Sequence, residues 1–292
     1  MQYDPIKKSL GKVFNKTPLL RILFYKLLDL LLLRAWHVKR EIRVWAREIR
    51  NRDNQPVDSS SGTLSHSQHP LQTPARYILD AGSGFGQYSY FLSGLNPFWF
   101  VDAVDVKEEQ IADCNAFFAQ INRKNVNFDI ADLTRFLIPD KFDLILSVDV
   151  MEHIADDEAV FRNFYDSLTQ QGMVLISTPS DQGGSDVHDH EEGGSFIDEH
   201  VRDGYNITDI REKLKRAGFT KTEARFTYGN PGKIAWTLSM KYPILMLNRS
   251  KLLFVVLPFY YLLSYPVAFF CNWLDTRMDH KTGTGLIVKA WK

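Results

Sequence analysis

The chain has 292 residues and a formal net charge of zero at pH 7, with 35 basic and 35 acidic residues. A hydrophobic fraction of 45% can fill a sizeable core, and the lack of a net basic charge argues against a nucleic-acid partner. The length allows one large α/β domain with appendages or two small domains. The two cysteines, Cys114 and Cys271, provide neither a disulfide framework nor a zinc-binding spacing.

The N-terminal segment combines basic and apolar residues. Residues 1–52 hold 13 Lys and Arg residues against four acidic ones, and leucines are frequent from residue 16 to 49. This pattern predicts a basic, amphipathic, helical N-terminal extension over residues 1–52. Two interpretations are open for it: a helical lid that buries its leucines on the sheet, or a helix that lies on an anionic membrane surface.

Residues 53–75 are rich in Ser, Gln, Pro and His, which predicts a flexible linker. Arg21, Lys26 and Asp29 interrupt the first apolar run, so we expect no secretory signal. The cysteine content suits a reducing compartment. We therefore expect a cytoplasmic protein. The N-terminal segment further suggests a peripheral position on the inner face of a membrane.

From residue 76 onwards, apolar runs alternate with helical patterns. Strands are predicted near residues 76–81, 99–105, 126–130, 142–148, 173–177, 219–228 and 284–291. Helices are predicted near residues 86–94, 107–121, 156–170 and 207–217. This alternation predicts an α/β domain at residues 76–292, with a Rossmann-like seven-stranded sheet and helices on both faces.

An apolar insertion, residues 228–283, separates the last two predicted strands. Residues 252–274 carry no charged side chain and are long enough to cross a bilayer. However, Pro258 and Pro266 break a straight helix, and a single crossing would leave the last strand on the far side of the membrane. We predict a helical hairpin that enters and leaves on one face. Its contact is open between a membrane, the N-terminal helices and a second copy of the chain.

A glycine-rich corner follows the first predicted strand. The strand ends at Asp80, and Gly82, Gly84 and Gly86 then alternate before a predicted helix, so the backbone can approach a ligand closely. A strand, a glycine loop and a helix N-terminus in this order are typical of nucleotide binding. The dinucleotide fingerprint would need glycine in place of Gln87, which leaves a dehydrogenase as an outside alternative.

Residues 80–86 resemble the first motif of the class I S-adenosylmethionine-dependent methyltransferases. Further motifs of that superfamily follow in order to about residue 226. The resemblance implies S-adenosylmethionine as the cofactor. It places Asp80 near the methionine part, Asp105 on the ribose hydroxyls and Asp132, or else Asp129, beside the adenine amino group. The implied cofactor-binding residues are Asp80, Gly82, Gly84, Gly86, Asp105, Val106, Asp132 and Ser147.

The stretch after the fourth predicted strand ends in Glu152 and His153, and it resembles the Glu-His pair of the quinone O-methyltransferases. Methyl transfer from a sulfonium needs alignment, and it needs a base when the acceptor is a hydroxyl. His153 is the first candidate for this base because an imidazole titrates near neutral pH. Glu152 and His200 are the other catalytic candidates. The alternative is that the Glu-His pair only fixes the loop.

The loop at residues 179–205 contains His188 and His190 among acidic residues. Closely spaced loop residues without a partner cluster do not form a metal site, so we predict none.

Together these patterns predict a methyltransferase that O-methylates a lipophilic small molecule or a lipid-linked acceptor at a membrane surface. The expected partners are this acceptor and a peripheral membrane contact, without nucleic acid. Two alternatives are open. One is a soluble small-metabolite methyltransferase that uses the hairpin as a homodimer interface, and the other is a non-catalytic cofactor-binding scaffold.

Overall fold

The centre of the molecule is a seven-stranded sheet with the order β3-β2-β1-β4-β5-β7-β6. The computed structural model describes residues 17–54, 74–183 and 201–292. The strands are β1 (Arg76–Ala81), β2 (Trp99–Asp105), β3 (Val126–Ile130), β4 (Phe142–Val148), β5 (Leu168–Pro179), β6 (Lys221–Thr227) and β7 (Gly285–Trp291). The pairs from β3 to β5 are parallel, and β7 is antiparallel to both of its neighbours. The predicted Rossmann-like sheet is confirmed.

Helices cover both faces of this sheet. They are α1 (Pro18–Leu31), α2 (Leu33–Asp53), α3 (Gln87–Ser93), α4 (Glu108–Gln120), α5 (Asp157–Ser167), α6 (Ile207–Ala217), α7 (Asn230–Trp236), α8 (Tyr242–Arg249) and α9 (Leu257–Asp275). Helices α5 and α6 share one core with the sheet, while α2 and α3 contribute to a second core on the opposite face. The predicted linker lies almost wholly outside the described residues.

The strand β5 begins earlier than predicted, and the helix expected to reach residue 170 ends at Ser167. Leu168 pairs with Phe142 of β4, and the register shifts before the next paired residue. Gln171 takes a left-handed conformation, with φ of 67°, at this irregularity. The early pairing and the irregularity after it depend on contacts with β4, so the periodicity of the sequence does not indicate where β5 begins.

Helix α2 lies on the sheet. Its Ile42 and Trp45 are buried, and the Trp45 ring packs edge-to-face on Trp99 of β2 at 5.1 Å between centroids. The lid interpretation therefore holds for this helix. Its outward face carries exposed arginines three or four residues apart, at Arg40, Arg43, Arg47 and Arg50.

Helix α1 is attached to the glycine loop by two buried side chains. The Arg21 guanidinium donates to the carbonyl oxygens of Phe85 and Asp113, at 3.0 Å in each case, and lies 4.7 Å from the Phe117 ring centroid. The Tyr25 hydroxyl also donates to the Phe85 carbonyl. Because Arg21 is only 3% exposed, these contacts hold one face of α1 firmly against the loop.

The insertion between β6 and β7 folds as helices that pack on one another. Helices α7 and α8, joined by a π-helical turn at Thr237–Lys241, form one arm. Helix α9 forms the other arm, and the Tyr260 and Tyr261 hydroxyls donate to backbone carbonyls of the π-helical turn. Among the described residues, none of the helices combines the length and hydropathy needed to span a bilayer.

Asp275 fastens the base of this hairpin. Its fully buried carboxylate accepts hydrogen bonds from the Gly232 amide at 2.9 Å, from the Tyr228 amide at 3.2 Å and from His37 Nε2 at 2.8 Å. Burial alone would raise the pKa of Asp275, but the hydrogen bond and charge of His37, the charge of His280 and the Gly232 amide together hold it below its usual value. One carboxylate thus joins α2, α7, α9 and the end of β6.

We expect Asp275→Asn to lower the free energy of unfolding by about 3 kcal/mol, since it removes one partner from a buried, charged cluster. Urea denaturation followed by circular dichroism measures this change. The matched control is Asp279→Asn, because Asp279 is exposed nearby and its replacement should leave the stability unchanged. A loss below about 1 kcal/mol for Asp275→Asn would show that the cluster does not hold the hairpin.

Candidate active site

The glycine loop after β1 is joined to the end of β2. The amides of Gly82 and Ser83 donate to the Val104 carbonyl at 2.8 and 2.9 Å. Gly82 has φ of 84°, and a Cβ there would lie 2.2 Å from a methyl carbon of Val150. Gly86 has φ of 75° and forms the N-cap of α3. The loop therefore requires glycine where it crosses the carboxyl edge of the sheet.

Asp105 lies beside this loop at the end of β2. Its Oδ2 accepts from the Gly84 amide at 2.9 Å, and its Oδ1 accepts from the Lys107 amide at 3.0 Å. Each carboxylate oxygen has a second lone pair, so Asp105 can also accept both hydroxyls of a ribose. The neighbouring Val106 side chain is 53% exposed and offers an apolar surface at the same edge.

Asp132 follows β3, next to the end of β2. The Ala131 amide donates to the Asp105 carbonyl at 3.1 Å, which brings this turn beside Asp105. Asp132 Oδ1 accepts from both the amide and the hydroxyl of Thr134, and these bonds hold the pKa of Asp132 below its usual value. The alternative residue, Asp129, lies within β3 and accepts from Asn127. Asp132 remains the predicted adenine-binding acid.

Asp80 is a buried acid under the glycine loop. It is 2% exposed, and the Ser89 hydroxyl donates to its Oδ2. Burial raises the pKa of Asp80 to about 6, and the negative charge of Asp105 adds to the rise. A buried carboxylate of this kind favours a cationic ligand group beside it.

Two buried hydroxyls lie in the same region without a hydrogen-bond partner among the described residues. They belong to Ser83 in the glycine loop and to Ser147 near the end of β4. Buried polar groups are usually hydrogen-bonded, so these two mark a place for a polar ligand. With the glycine loop and the acids Asp80 and Asp105, they fit a positively charged ligand that also carries a ribose, as S-adenosylmethionine does.

The raised pKa of Asp80 gives a pH dependence. The ionised form attracts a cation, so we expect the affinity for S-adenosylmethionine to fall about tenfold when the pH drops from 7 to 5. The ligand's α-amino group stays protonated over this range, so its charge does not cause the change. Calorimetric titration of the wild type and of Asp80→Asn measures the effect. A variant that kept the full pH dependence would exclude Asp80 as its source.

The segment after β4 brings Glu152 into the site. Glu152 is 1% exposed, lies in a short 3₁₀ turn (Met151–His153) and accepts from the Thr178 hydroxyl at 3.1 Å. Burial raises the pKa of Glu152 above its usual value. His153 is adjacent to Glu152 and exposed. The third catalytic candidate, His200, lies outside the described residues, as do His188 and His190.

Arg34 enters the site from the N-terminal helices, which sequence reasoning did not anticipate. At the start of α2, its guanidinium pairs with Asp149, which follows β4 in a left-handed conformation with φ of 51°. The Arg34 amide donates to the Tyr228 hydroxyl at 2.9 Å. Removal from water raises the pKa of the nearby Tyr88 to about 12, although the Arg34 charge opposes the rise. Arg34 thus joins the start of α2 to the residues that follow β4 and β6.

Comparison with known proteins gives consistent results. Residues 79–174 match the model of a family described as a methyltransferase domain. A phosphoethanolamine N-methyltransferase from Triticum aestivum is 33% identical over 148 residues, which cover 50% of this chain and 28% of that protein. A malonyl-[acyl-carrier protein] O-methyltransferase from Bacillus cereus is 30% identical over 117 residues, which cover 40% of this chain and 42% of that protein.

A solved structure shares the fold. The phosphoethanolamine N-methyltransferase 2 of Haemonchus contortus, in complex with S-adenosyl-L-methionine, superposes with a TM-score of 0.52 at 19% identity. The match covers 75% of this chain and 49% of that protein. This chain therefore spans less than half the length of each of these relatives.

Proposed function

We propose that this chain, a member of the class I S-adenosylmethionine-dependent methyltransferase superfamily, methylates a lipophilic small molecule or a lipid-linked acceptor at a membrane surface, on oxygen. The observation that carries the proposal is the position of the apolar insertion. β6 ends, and β7 begins, at the edge of the sheet that holds the glycine loop. The hairpin between these strands therefore starts and ends at the same edge of the sheet as the glycine loop.

The cofactor would supply a methyl group on a sulfonium: in an in-line displacement the carbon–sulfur bond breaks as the acceptor bonds to the methyl carbon, and the neutral thioether S-adenosylhomocysteine leaves. The side chains of Asp80 and Asp105 would hold the cationic and ribose parts of the cofactor. His153 accepts the proton that a hydroxyl acceptor loses as the new carbon–oxygen bond forms. Glu152, fixed by the Thr178 hydroxyl, positions the turn that carries His153. The ion pair of Arg34 with Asp149 attaches the start of α2 to the segment that follows β4.

The relatives' names favour a second candidate, in which nitrogen is the methylated atom. The proteins from Triticum aestivum and Haemonchus contortus are named for phosphoethanolamine, whose amine needs to lose a proton before it can attack. The same base would serve this reaction. The type of bond to the transferred methyl group distinguishes the two candidates.

The test is to incubate the full chain with methyl-labelled S-adenosylmethionine and either membrane or soluble extract. We expect label in a product that organic solvent extracts from the membrane fraction, with the methyl group on oxygen. Label confined to water-soluble products, together with a discrete dimer in detergent-free chromatography, would favour the soluble enzyme. Cofactor binding without labelling of either extract would favour the non-catalytic scaffold.

A further inference from the structure

Helix α1 exposes a stripe of leucines on the side that faces away from the glycine loop. Leu19, Leu23, Leu27 and Leu30 are 76, 47, 37 and 41% exposed. Their spacing of three or four residues places them on one face of the helix. The opposite face is held by Arg21 and Tyr25. The leucines are therefore not needed to attach α1 to the protein.

The hairpin exposes a larger apolar surface. Around its turn, Leu252, Phe254 and Val255 are 83, 69 and 71% exposed. This apolar surface of the hairpin continues along α9 through Phe259 and Leu263, which are 69 and 79% exposed. Exposed apolar residues scattered singly are normal on proteins, but a continuous set of this kind marks an interaction surface.

These two surfaces meet where α9 crosses the junction of α1 and α2. The Tyr265 hydroxyl donates to the Leu30 carbonyl at 2.8 Å. The Trp36 and Phe269 rings pack edge-to-face with centroids 4.9 Å apart. We define the α1 leucines together with the exposed apolar residues of 252–270 as the apolar face.

The exposed charges within the hairpin helices have one sign. Residues 230–274 contain four basic residues and no acidic one, and Lys233 and Arg249 are exposed. Lys26 is exposed on α1, whereas Asp29 of the same helix is engaged by Lys39 and Gln87. A surface of this composition is complementary to anionic lipid headgroups above an apolar layer.

We propose that the apolar face docks on an anionic phospholipid bilayer, with the hairpin turn inserted among the headgroups and acyl chains. This inference rests on the proposed function, because it names the surface through which the chain would reach an acceptor held in a membrane. A second copy of the chain fits less well, since a two-fold contact brings the same basic surface of both copies together. Trp273 and Tyr242, at the ends of the hairpin helices, are half-exposed aromatic residues of the type that occurs at membrane interfaces.

The experiment is co-sedimentation of the full chain with vesicles of phosphatidylcholine, with or without added phosphatidylglycerol. We expect stronger partition onto the vesicles that contain phosphatidylglycerol. The double substitution Phe254→Ser and Val255→Ser should lower this partition at least about tenfold, since it removes two inserting side chains. Arg249→Glu should lower the partition by about fivefold or more, and only when phosphatidylglycerol is present.

The matched control is Phe98→Ser. Phe98 is 54% exposed but precedes β2, at the opposite edge of the sheet, so its replacement should leave partition unchanged. Partition that the hairpin substitutions do not affect would overturn the proposal. So would light scattering that shows a dimer which these substitutions dissociate, since a second copy would then cover the face.

Calorimetric titration with S-adenosylmethionine separates this inference from the proposed function. The hairpin variants should bind the cofactor as the wild type does, because the substituted residues lie outside the cofactor site. Vesicle binding without methyl transfer would contradict the proposed function and leave the docking surface intact. Methyl transfer to a lipophilic acceptor without any vesicle binding would contradict the docking surface and the membrane location, and would leave the methyltransferase activity intact.

Discussion

Replacing His153 by glutamine is expected to lower kcat by about 10²–10⁴-fold, the usual contribution of a general base. Glutamine keeps the size of the side chain but cannot take the proton of the acceptor. The affinity for S-adenosylmethionine should stay unchanged, because His153 is not among the residues that we expect to bind the cofactor. Initial-rate kinetics with the labelled acceptor, together with calorimetric titration, measure both quantities.

Glu152→Gln separates the two members of the pair. If His153 is the base and Glu152 positions it, the Glu152 variant should lose less activity and keep the pH dependence of the wild type. A larger loss than for His153→Gln would instead identify the buried carboxylate, whose pKa is raised by burial, as the base. Glu158→Gln is the matched control, because Glu158 lies on α5 and pairs only with Arg216 among the described residues.

The second large effect concerns Asp105. Asp105→Asn should raise the dissociation constant for S-adenosylmethionine about 10–100-fold, since hydrogen bonds to a charged acceptor contribute about 1.5–3 kcal/mol each. The side-chain oxygen of the asparagine can still accept one hydrogen bond, so the glycine loop should keep its contact with β2. Equilibrium dialysis with labelled cofactor gives the dissociation constant, and thermal denaturation shows whether the variant is folded.

Asp102→Asn is the control for this change. Asp102 lies on the same strand but pairs with Lys141, away from the glycine loop, so cofactor affinity should change by less than about twofold. Equal losses in the two variants would mean that strand β2 is disturbed as a whole. In that case Asp105 would have no particular role in binding the ribose.

The sheet could be predicted because its residues carry local signals. The run at Tyr77–Leu79, the glycines after Asp80 and the helix cap at Gly218 each restrict the backbone within a few residues. The bounds of β1 to β4 agree with the prediction for the same reason. The start of β5 does not agree with the prediction, since it depends on the pairing of Leu168 with β4 and on the shift in register that follows.

The positions of Asp80 and Asp105 could be predicted, whereas the contact of Arg34 could not. Asp80 and Asp105 lie at the carboxyl ends of β1 and β2, so their positions follow from the topology of the sheet. Arg34 belongs to a helix more than a hundred residues away from Asp149 in sequence, and nothing near either residue indicates their contact. The two interpretations of the N-terminal segment also could not be separated, because α2 buries its apolar face whereas α1 leaves four leucines exposed.

Titration of the full chain with S-adenosylmethionine, S-adenosylhomocysteine and NAD tests the central claim most directly. The glycine loop, the buried Asp80 and the hydroxyls of Ser83 and Ser147, which lack a partner within the described part of the chain, predict that the first two ligands bind with one-to-one stoichiometry. They also predict that NAD does not bind. Binding of NAD at this site, or the absence of heat with S-adenosylmethionine at neutral pH, would contradict a methyltransferase.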